Sequence, residues 1–456
     1  MKIDVIIVGT GQAGVPLAAR LAEAGRRVVI AERKALGGTC VNYGCTPTKT
    51  MVASAQAAHD ARTAARLGVK TGRVRVDLAA VVDRKDRVVR RWRESVSNRL
   101  RQHAPRLRLV RGHARFTGPR RVEVAGKSYD AGMVIVNVGA RPAVPPVTGL
   151  ERVPWLDNAR IMDLRRVPAH LLVLGGGYIG CEFAQMFRRF GARVTVVDEA
   201  ERLLSMEEPE SSAALEKALR GEGIGLLTET RATSVTKTTR GITVSLKGDR
   251  QVTGSHLLVA VGRRPNTDDL GAEAAGIRLD AKGYIEVDER YRTSAEGVYA
   301  VGDCTPGPQF THAAWDDHRI LFDLLQGRGS RTRRDRLIPI TAFTDPQVAR
   351  IGLTEREARA RGHAPEVATM EFGEIARAIE TGRTAGTMKI LLDPKTEKVL
   401  GASIVGAEAG ELIHIFAPVM AAGLAARAMV DPEYVHPTFA EGVQSLVMSL
   451  PRYAIE

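Results

Sequence analysis

Residues 5–32 read VIIVGTGQAGVPLAARLAEAGRRVVIAE, and this stretch decides the fold. Four apolar residues lead into a glycine turn, Gly9-x-Gly11-x-x-Gly14, which is followed by a helical pattern and a second apolar run that ends at Glu32. A strand, a glycine turn, a helix and a strand with an acidic end are typical of a dinucleotide-binding unit. One such fingerprint alone is weak, because glycine-rich chains contain it by chance.

The same pattern recurs in residues 171–199, LLVLGGGYIGCEFAQMFRRFGARVTVVDE. Its glycines are Gly175, Gly177 and Gly180, and from the first glycine to the acid Asp198 is 23 positions, as in the first copy. The glycines permit a tight turn, a close approach to a pyrophosphate and close helix–strand packing, and the helix N-terminus offers its N–H groups to the phosphates. The two matched copies predict that the chain binds two dinucleotides, each acid accepting hydrogen bonds from an adenosine ribose.

Length and composition indicate a multidomain α/β enzyme. The chain has 456 residues, more than one compact core accommodates. It contains no run of eighteen apolar residues, so we expect no membrane span. Its first residues lead directly into a strand and do not resemble a secretory signal, which favours a cytoplasmic location.

The formal net charge of +14 raises the question of an anionic partner. The arginines are densest in residues 84–121, where the apolar residues have helical spacing. We favour a solvated helix face, with an acidic partner as the alternative. No nucleic-acid-binding motif accompanies these arginines, so we do not expect a nucleic-acid partner.

Residues 37–49, GGTCVNYGCTPTK, place Cys40 and Cys45 close together. A disulfide between them would close a ring of six residues and contribute only about 2 kcal/mol to stability, so a structural bridge is not expected. Two thiolates supply only half of the ligands of a zinc site, and no second pair of cysteines or histidines with ligand spacing follows. We therefore predict no metal site. Thiol–disulfide exchange needs an attacking thiolate and a resolving partner, which this pair supplies. The other two, Cys181 and Cys304, are interpreted as small buried side chains.

Further strand signals follow the two fingerprints. Residues 133–142, MVIVNVGARP, and 256–266, HLLVAVGRRPN, are interpreted as the closing strands of the two nucleotide units, and 297–304, GVYAVGDC, ends another strand at Asp303. After about residue 337 the pattern changes to alternating strands and an apolar helix, and residues 435–441 read VHPTFAE.

Taken together, the Cys40–Cys45 motif, the two fingerprints, the Gly302-Asp303 strand end and the HPTFAE tail resemble the class I pyridine nucleotide–disulfide oxidoreductases. That family includes dihydrolipoamide dehydrogenase, glutathione reductase and mercuric reductase. The resemblance implies an α/β fold with two Rossmann-like dinucleotide-binding domains and a C-terminal α+β dimerisation domain. The implied boundaries are 1–148 and 266–336 for the two parts of the FAD-binding domain, 149–265 for the NAD(P)H-binding domain and 337–456 for the dimerisation domain.

By the same resemblance, FAD binds at the first fingerprint and NAD(P)H at the second. Electrons are then expected to pass from NAD(P)H to the flavin, to the Cys40–Cys45 disulfide and on to an oxidised substrate. Asp303 resembles an aspartate that contacts the flavin, and Tyr178 matches a residue that gates the nicotinamide pocket. The implied FAD residues are Gly9, Gly11, Gly14, Glu32, Gly38, Thr39, Lys49, Gly139 and Asp303, and the implied NAD residues are Gly175, Gly177, Tyr178, Gly180, Asp198 and Gly262.

The resemblance also assigns roles to the candidate catalytic residues. Cys40 is by analogy the exposed interchange thiol, and Cys45 is the thiol against the flavin. Lys49 lies one helical turn after Cys45, so its ammonium group is expected to lower a thiolate pKa. In the family this lysine pairs with a glutamate at the position of Glu182, although a surface ion pair would also explain both residues.

His436 and Glu441 match the acid/base pair of the family. A histidine with a pKa near 6.5 can move the proton that thiol–disulfide exchange needs, and a carboxylate can fix its tautomer. In the family this histidine reaches the dithiol of the other subunit, which implies an obligate homodimer. A purely structural histidine is the alternative.

The second strand end also bears on the choice of nucleotide. Asp198 is followed by Glu199 and Glu201, and these carboxylates would repel a 2′-phosphate. Only Arg202 opposes them, so we predict that NADH is preferred over NADPH.

The substrate is less well indicated. Residues 302–317, GDCTPGPQFTHAAWDD, resemble mercuric reductases and flavoproteins of the reactive-chlorine response, whereas dihydrolipoamide dehydrogenases show Ala-His in place of Gln309-Phe310. Mercuric reductases end in a vicinal cysteine pair, and no cysteine follows Cys304 here, which argues against mercury detoxification. We expect a small-molecule disulfide or a thiol-reactive metal ion as the acceptor. The alternatives are a dihydrolipoamide dehydrogenase and, in another class, a redox-sensing binding protein. Tyr43 and Thr46 receive no predicted role.

Overall fold

The protein is described here by a computed structural model that covers residues 3–453. The chain forms two compact units. The first comprises residues 3–51, 80–143 and 262–336, and the second comprises 52–79, 144–261 and 337–453. The four-part domain division expected from the sequence stays a prediction.

The secondary structure alternates strands and helices in both units. The helices are α1 (Gly14–Glu23), α2 (Gly38–Tyr43), α3 (Cys45–Thr63), α4 (Leu78–Gln102), α5 (Tyr178–Phe190), α6 (Pro209–Gly221), α7 (Thr311–Leu325), α8 (Glu355–Ala360), α9 (Ala376–Thr381), α10 (Ala409–Leu412), α11 (Phe416–Ala421) and α12 (Glu441–Met448). The strands are β1 (Ile3–Val8), β2 (Val28–Glu32), β3 (Leu107–Arg111), β4 (Ala114–Gly118), β5 (Arg121–Val124), β6 (Lys127–Val136), β7 (Ala140–Pro142), β8 (His170–Leu174), β9 (Arg193–Val197), β10 (Gly225–Leu227), β11 (Ala232–Thr238), β12 (Gly241–Leu246), β13 (Arg250–Gly254), β14 (His256–Val259), β15 (Arg263–Pro265), β16 (Val298–Ala300), β17 (Ile340–Ala342), β18 (Gln347–Gly352), β19 (Glu366–Glu371), β20 (Thr387–Leu392) and β21 (Val399–Gly406).

The first unit is built on a seven-stranded sheet. Its parallel part has the order β3-β2-β1-β6-β16, and β6 continues into antiparallel pairing with β5 and then β4. Successive residues of β1 point to opposite faces: Val5 and Ile7 pack in the cluster with α1 and α7, while Ile6 and Val8 pack in a second cluster. Because both faces are covered, residues 5–8 of β1 are apolar without alternation.

The second unit contains three sheets. A parallel sheet of order β10-β9-β8-β14 packs against α5, and an antiparallel sheet of order β11-β12-β13 is formed by the residues between β10 and β14. The C-terminal residues form an antiparallel sheet of order β17-β18-β21-β20-β19, whose core includes the fully buried Phe372, Ile404 and Phe416. The predicted α/β class, with two Rossmann-like halves and a C-terminal α+β region, is confirmed.

The length and polarity of the helices bear on whether the chain crosses a membrane. Among residues 3–453, every helix is either too short or too polar to cross a lipid bilayer.

Candidate active site

The first glycine turn connects β1 to α1 at very close range. Gly9 has a φ of +109°, in the left-handed region that favours glycine. A Cβ on Gly14 would lie 2.2 Å from the carbonyl oxygen of Gly9, so α1 can begin here only because Gly14 has no side chain. The N-terminus of α1 therefore opens at the turn, where its free N–H groups suit a pyrophosphate.

Glu32 holds this turn from the end of β2. Its Oε2 accepts a hydrogen bond from the backbone N–H of Thr10 at 3.0 Å, and its Oε1 accepts one from the N–H of Lys34 at 2.8 Å. The hydroxyl of Thr10 also donates to this carboxylate at 2.5 Å. The acid is thus fixed beside the turn, where it fits an adenosine ribose.

The second fingerprint repeats this arrangement in the other unit. A Cβ on Gly180 would lie 1.9 Å from the carbonyl oxygen of Gly175. Asp198 accepts hydrogen bonds from the N–H of Gly176 and, at 2.7 Å, from the N–H of Ala200. In both copies the acid bridges the amide after the first glycine and the amide two residues beyond itself. The residues present therefore fit two dinucleotides, as the sequence predicts.

The dithiol segment packs directly onto the first turn. Gly38 and Thr39 begin α2, which carries Cys40, and α3 begins at Cys45. A Cβ on Gly38 would lie 2.7 Å from the Cα of Gly11, so α2 lies against the backbone of the phosphate-binding turn. This contact places the thiols beside the predicted FAD site.

The thiols of Cys40 and Cys45 contact one another in the reduced state. The contact with Cys45 is the main cause that raises the pKa of the Cys40 thiol, and burial adds to it. The positive charge of Lys49 lowers this pKa, the direction predicted from the sequence, but it is outweighed. Because a second thiolate beside the first is unfavourable, the pair carries at most one negative charge near neutral pH.

Thr311 contacts the dithiol and was missed by the sequence analysis. Its hydroxyl lies 3.1 Å from the Sγ of Cys45, and it is the first residue of the fifteen-residue helix α7. A helix N-terminus carries partial positive charge, which stabilises a thiolate. Thr311 lies 266 residues from Cys45 in the sequence, so no local motif indicated this contact. Thr311 does, however, directly follow the Gln309-Phe310 signature.

The two thiols differ in exposure. Cys45, which the analogy places against the flavin, has an open face, and Cys40 is half-buried. The assignment of Cys40 as the interchange thiol stays a prediction.

Asp303 lies in the short turn that follows β16, and Asp317 holds this turn in place. Burial raises the pKa of its carboxyl group, while the Arg263 guanidinium, 3.2 Å away, opposes this rise. Asp317 of α7 accepts a hydrogen bond from the N–H of Gly302 at 2.7 Å and so fixes the turn. The predicted Gly139 and Gly262 precede β7 and β15; both have positive φ and open space around them.

Tyr178 and Glu182 lie on the first turns of α5. Glu182 is buried and accepts a hydrogen bond from the N–H of Phe343 at 2.9 Å. The hydroxyl of Tyr178 donates to Glu207, a residue that the sequence analysis did not select. Lys49 belongs to the other unit, so its pairing with Glu182 stays a prediction.

The structure brings together His436 and Glu441, as predicted. The Nδ1 of His436 lies 3.1 and 3.2 Å from the two carboxylate oxygens of Glu441. The histidine side chain is 73% exposed, whereas the glutamate side chain is only 19% exposed. Because the carboxylate engages Nδ1, the other ring nitrogen remains for proton transfer.

The charges next to Asp198 are more balanced than the local sequence indicates. Arg202 lies 3.4 Å from Glu201, and Arg231, just before β11, lies 3.5 Å from Glu199. Two guanidinium groups therefore lie beside the three carboxylates, whereas only that of Arg202 was expected from the sequence. Sequence separation explains the omission of Arg231.

Metal-ligating side chains form no further site in the part of the chain that the structure describes. Within residues 3–453, no three histidine, cysteine, aspartate or glutamate side chains are arranged to hold a metal ion.

Comparison with known proteins identifies the family. Residues 3–317 match the pyridine nucleotide-disulphide oxidoreductase family, and residues 338–447 match its dimerisation domain. The chain belongs to the pyridine nucleotide-disulphide oxidoreductases, and the resemblance inferred from the sequence is confirmed. It is therefore an enzyme, a flavoprotein disulfide oxidoreductase that uses FAD and a pyridine nucleotide.

Three relatives show how the chain lies within this family. It is 33% identical to a mercuric reductase of Lysinibacillus sphaericus over 98% of this chain and 83% of that protein. It is 35% identical to a dihydrolipoyl dehydrogenase of Thermus scotoductus, over 99% and 98% of the two chains. The structure of the HOCl-induced flavoprotein disulfide reductase RclA of Escherichia coli matches with a TM-score of 0.90 and 34% identity, covering 98% of this chain and 100% of that one.

The space around Gly177 generates a test of the second nucleotide site. A Cβ at Gly177 would meet nothing within 4 Å and the φ there is ordinary, so Gly177→Ala should fold normally. The added methyl group would stand where the backbone is expected to approach the pyrophosphate. We expect NADH affinity, measured by calorimetry, to fall about tenfold or more while FAD content and thermal midpoint stay unchanged.

Gly221→Ala is the matched control, since Gly221 also has open space and no positive φ but ends α6. Equal NADH affinity in the Gly177→Ala variant and the parent would remove this turn from the nucleotide site.

Proposed function

We propose that the enzyme passes electrons from NADH through FAD and the Cys40–Cys45 pair to a thiol-reactive metal ion or to a small disulfide other than lipoamide. The observation that carries this proposal is the reduced dithiol at the start of α7. The thiols of Cys40 and Cys45 contact one another, and the sulfur of Cys45 lies 3.1 Å from the hydroxyl of Thr311. The start of a helix favours a thiolate, and two adjacent thiols suit a soft electrophile or a disulfide as the acceptor.

The cofactors have separate sets of binding residues in this proposal. FAD would be held by the first glycine turn, Glu32 and Asp303, and NADH by the second glycine turn and Asp198. When bound, FAD accepts the two electrons of the NADH hydride and delivers them to the disulfide. The remaining steps belong to side chains of the protein.

Turnover of a disulfide begins from the reduced pair. The thiolate attacks one sulfur of the acceptor, the acceptor S–S bond breaks, and the leaving thiolate takes a proton. The second cysteine then attacks the mixed disulfide, which releases the second thiol and restores the Cys40–Cys45 bond. Two electrons leave the protein dithiol and two acceptor thiols are formed.

His436 supplies and removes the protons of these steps in our proposal. Glu441 holds its Nδ1, and the other ring nitrogen delivers a proton to the leaving thiolate. The exposed histidine side chain fits a residue that serves the dithiol of a partner subunit in a homodimer, which the match to the family's dimerisation domain supports. Glu441 acts through the histidine and is a positioning residue.

The relatives support a metal ion as one possible acceptor. Mercuric reductases are among the proteins most similar to this chain, and RclA of Escherichia coli has been solved as a copper(II) complex. Thiolates favour such soft metals. In this proposal the two sulfurs hold the metal ion as a substrate.

The second candidate is a dihydrolipoamide dehydrogenase working toward NAD reduction. The 35% identity to the Thermus scotoductus enzyme over nearly the whole of both chains favours it. The Gln309-Phe310 signature, which differs from the Ala-His of that branch, opposes it. Rapid NAD reduction by dihydrolipoamide would establish this candidate.

Anaerobic NADH oxidation against a panel of acceptors tests the proposal. The panel contains mercuric and cupric ions, low-molecular-weight disulfides and lipoamide. We expect turnover with at least one metal ion or non-lipoamide disulfide, and a loss of at least about 10²-fold in Cys45→Ser, because the dithiol carries the electrons. Cys181→Ala, which removes a buried thiol outside the pair, is the control. Turnover with lipoamide alone would refute the proposal.

The His436→Ala variant should separate the two half-reactions. Flavin reduction by NADH does not need this proton and should keep its rate, whereas disulfide turnover should slow by about 10²- to 10⁴-fold. Stopped-flow absorbance measures the first step and steady-state kinetics the second. His414→Ala is the control, because it removes another exposed histidine of the C-terminal region. Equal losses in both half-reactions would contradict the assigned role.

The preference for NADH is the finer part of the cofactor proposal. The three carboxylates Asp198, Glu199 and Glu201 still outnumber the guanidinium groups of Arg202 and Arg231. A 2′-phosphate placed beside them would meet net negative charge, whereas a 2′-hydroxyl could donate to Asp198.

Asp198→Asn tests this preference. The amide oxygen can still accept from the N–H of Gly176, whereas the hydrogen bond from the N–H of Ala200 and one negative charge are lost. We expect the ratio of kcat/KM for NADH to that for NADPH to fall about tenfold. Asp157→Asn is the control, since Asp157 also accepts from two backbone amides, those of Ala159 and Arg160. An unchanged ratio would place the selectivity elsewhere.

A further inference from the structure

We propose that Glu207 is a positioning residue that tethers Tyr178 to the C-terminal sheet and thereby limits how readily the nicotinamide enters its site. The inference rests on the proposed function, in which NADH binds at the second glycine turn, and on the gating role that the family resemblance predicts for Tyr178. Glu207 anchors Tyr178, so opening the gate costs the free energy of the hydrogen bond between them. Access of the nucleotide then depends on the C-terminal sheet, which has no glycine fingerprint.

Tyr178 lies where the second glycine turn passes into α5. It is the first residue of α5 and directly follows Gly177, the glycine that the dinucleotide is expected to approach. Its hydroxyl donates a hydrogen bond to Oε1 of Glu207, across 29 positions of sequence. Burial, followed by the charge of Glu207, raises the pKa of this hydroxyl, so it remains protonated and a donor at any physiological pH.

Glu207 is itself firmly held. Its side chain is only 2% exposed, and Arg350 of β18 lies 2.7 Å from Oε2 and 3.4 Å from Oε1. Arg350 is in turn fixed by donating to the carbonyl oxygen of Gly352 at 2.8 Å. Because Glu207 forms an ion pair with Arg350, its hydrogen bond with Tyr178 is charge-assisted and stronger than one between neutral groups.

The neighbouring residue fixes the same segment to the same sheet. Glu208 is also buried, and its carboxylate lies 3.1 Å from the Nζ of Lys389 on β20. Lys389 is further paired with Glu355 at 2.8 Å. Residues 207 and 208 are therefore attached to two strands of the C-terminal sheet, and the anchor of Tyr178 belongs to that sheet rather than to α5. All of these contacts lie within the second unit.

A tethered gate has a measurable consequence for binding. Moving the Tyr178 ring away from its observed position breaks the hydrogen bond to Glu207 and leaves a buried carboxylate with one partner fewer. When a ligand binds only after such a movement, its apparent affinity is reduced by the small fraction of molecules in the open arrangement. Removal of the phenolic hydroxyl should increase that fraction and tighten binding.

The test uses the FAD-loaded, oxidised, full-length protein and calorimetric titration with NAD. We expect Tyr178→Phe to bind NAD about three- to tenfold more tightly than the parent. Flavin reduction at subsaturating NADH should accelerate by a similar factor, whereas turnover of the dithiol by the acceptor should not change. Tyr453→Phe is the matched control, because the Tyr453 hydroxyl donates to Glu397 at 2.7 Å in a tyrosine–glutamate pair outside the nucleotide turn.

A double-variant cycle distinguishes a tether from general loosening. Glu207→Gln keeps an acceptor but removes its charge, so it should tighten NAD binding less than Tyr178→Phe, and the double variant should equal Tyr178→Phe alone. If Glu207→Gln fails to fold, the comparison of Tyr178→Phe with Tyr453→Phe still decides. Unchanged or weaker NAD binding in Tyr178→Phe overturns the tether.

Failure of the tether differs visibly from failure of the proposed function. If NADH reduces the parent enzyme but Tyr178→Phe binds NAD as the parent does, only the tether is wrong. If NADH reduces neither protein, the proposed function is wrong, and a gate for NADH is refuted with it.

Discussion

Both nucleotide units depend on one steric constraint, the contact between the third glycine of each fingerprint and the carbonyl oxygen of the first. At Gly14 and at Gly180 any side chain would collide with that oxygen, so the helix can start immediately beside the strand only if the position is glycine. The remaining features of each site follow from this contact. It directs the helix N-terminus into the turn, and it lets the acid at the end of the second strand reach the amide after the first glycine. In the first unit the same compact turn offers bare backbone at Gly11, against which Gly38 and the dithiol helix pack.

The chemistry of the dithiol is set by two opposing influences. The contact between the thiols and burial raise the pKa of Cys40, whereas the hydroxyl of Thr311, at the start of α7, lowers it. A pair that retains one proton has both a nucleophile and a resolving thiol at the same pH. His436 and Glu441, the predicted acid/base pair, combine an exposed imidazole with a half-buried carboxylate at the start of α12.

Features that depend on short-range sequence were predictable, and features that depend on long-range packing were not. The spacing from glycine to acid identified Glu32 and Asp198, and the five-residue interval from His436 to Glu441 identified a pair that the structure brings together. Thr311, Arg231 and Glu207 were missed, because each reaches its site from a distant part of the chain and carries no motif of its own. The relative exposure of the two cysteines was also beyond local reasoning, since it depends on which elements cover each sulfur. The acceptor depends on such details, which explains why the family was evident from the sequence and the substrate was not.

The first sheet has a consequence for how the protein is made. Strand β6 ends at residue 136, but its parallel neighbour β16 spans residues 298–300 and is needed to complete that side of the sheet. About 160 residues, among them residues 144–261 of the second unit, must leave the ribosome in between, which takes roughly 8 to 30 s at typical rates of synthesis. During this interval Val134, Ile135 and Val136, fully buried in the finished protein, pair with β1 on one side only, and their other side has no strand beside it. A nascent chain of this architecture therefore passes through a stage in which an unpaired edge is open to aggregation, and that edge is a natural point of engagement for chaperones.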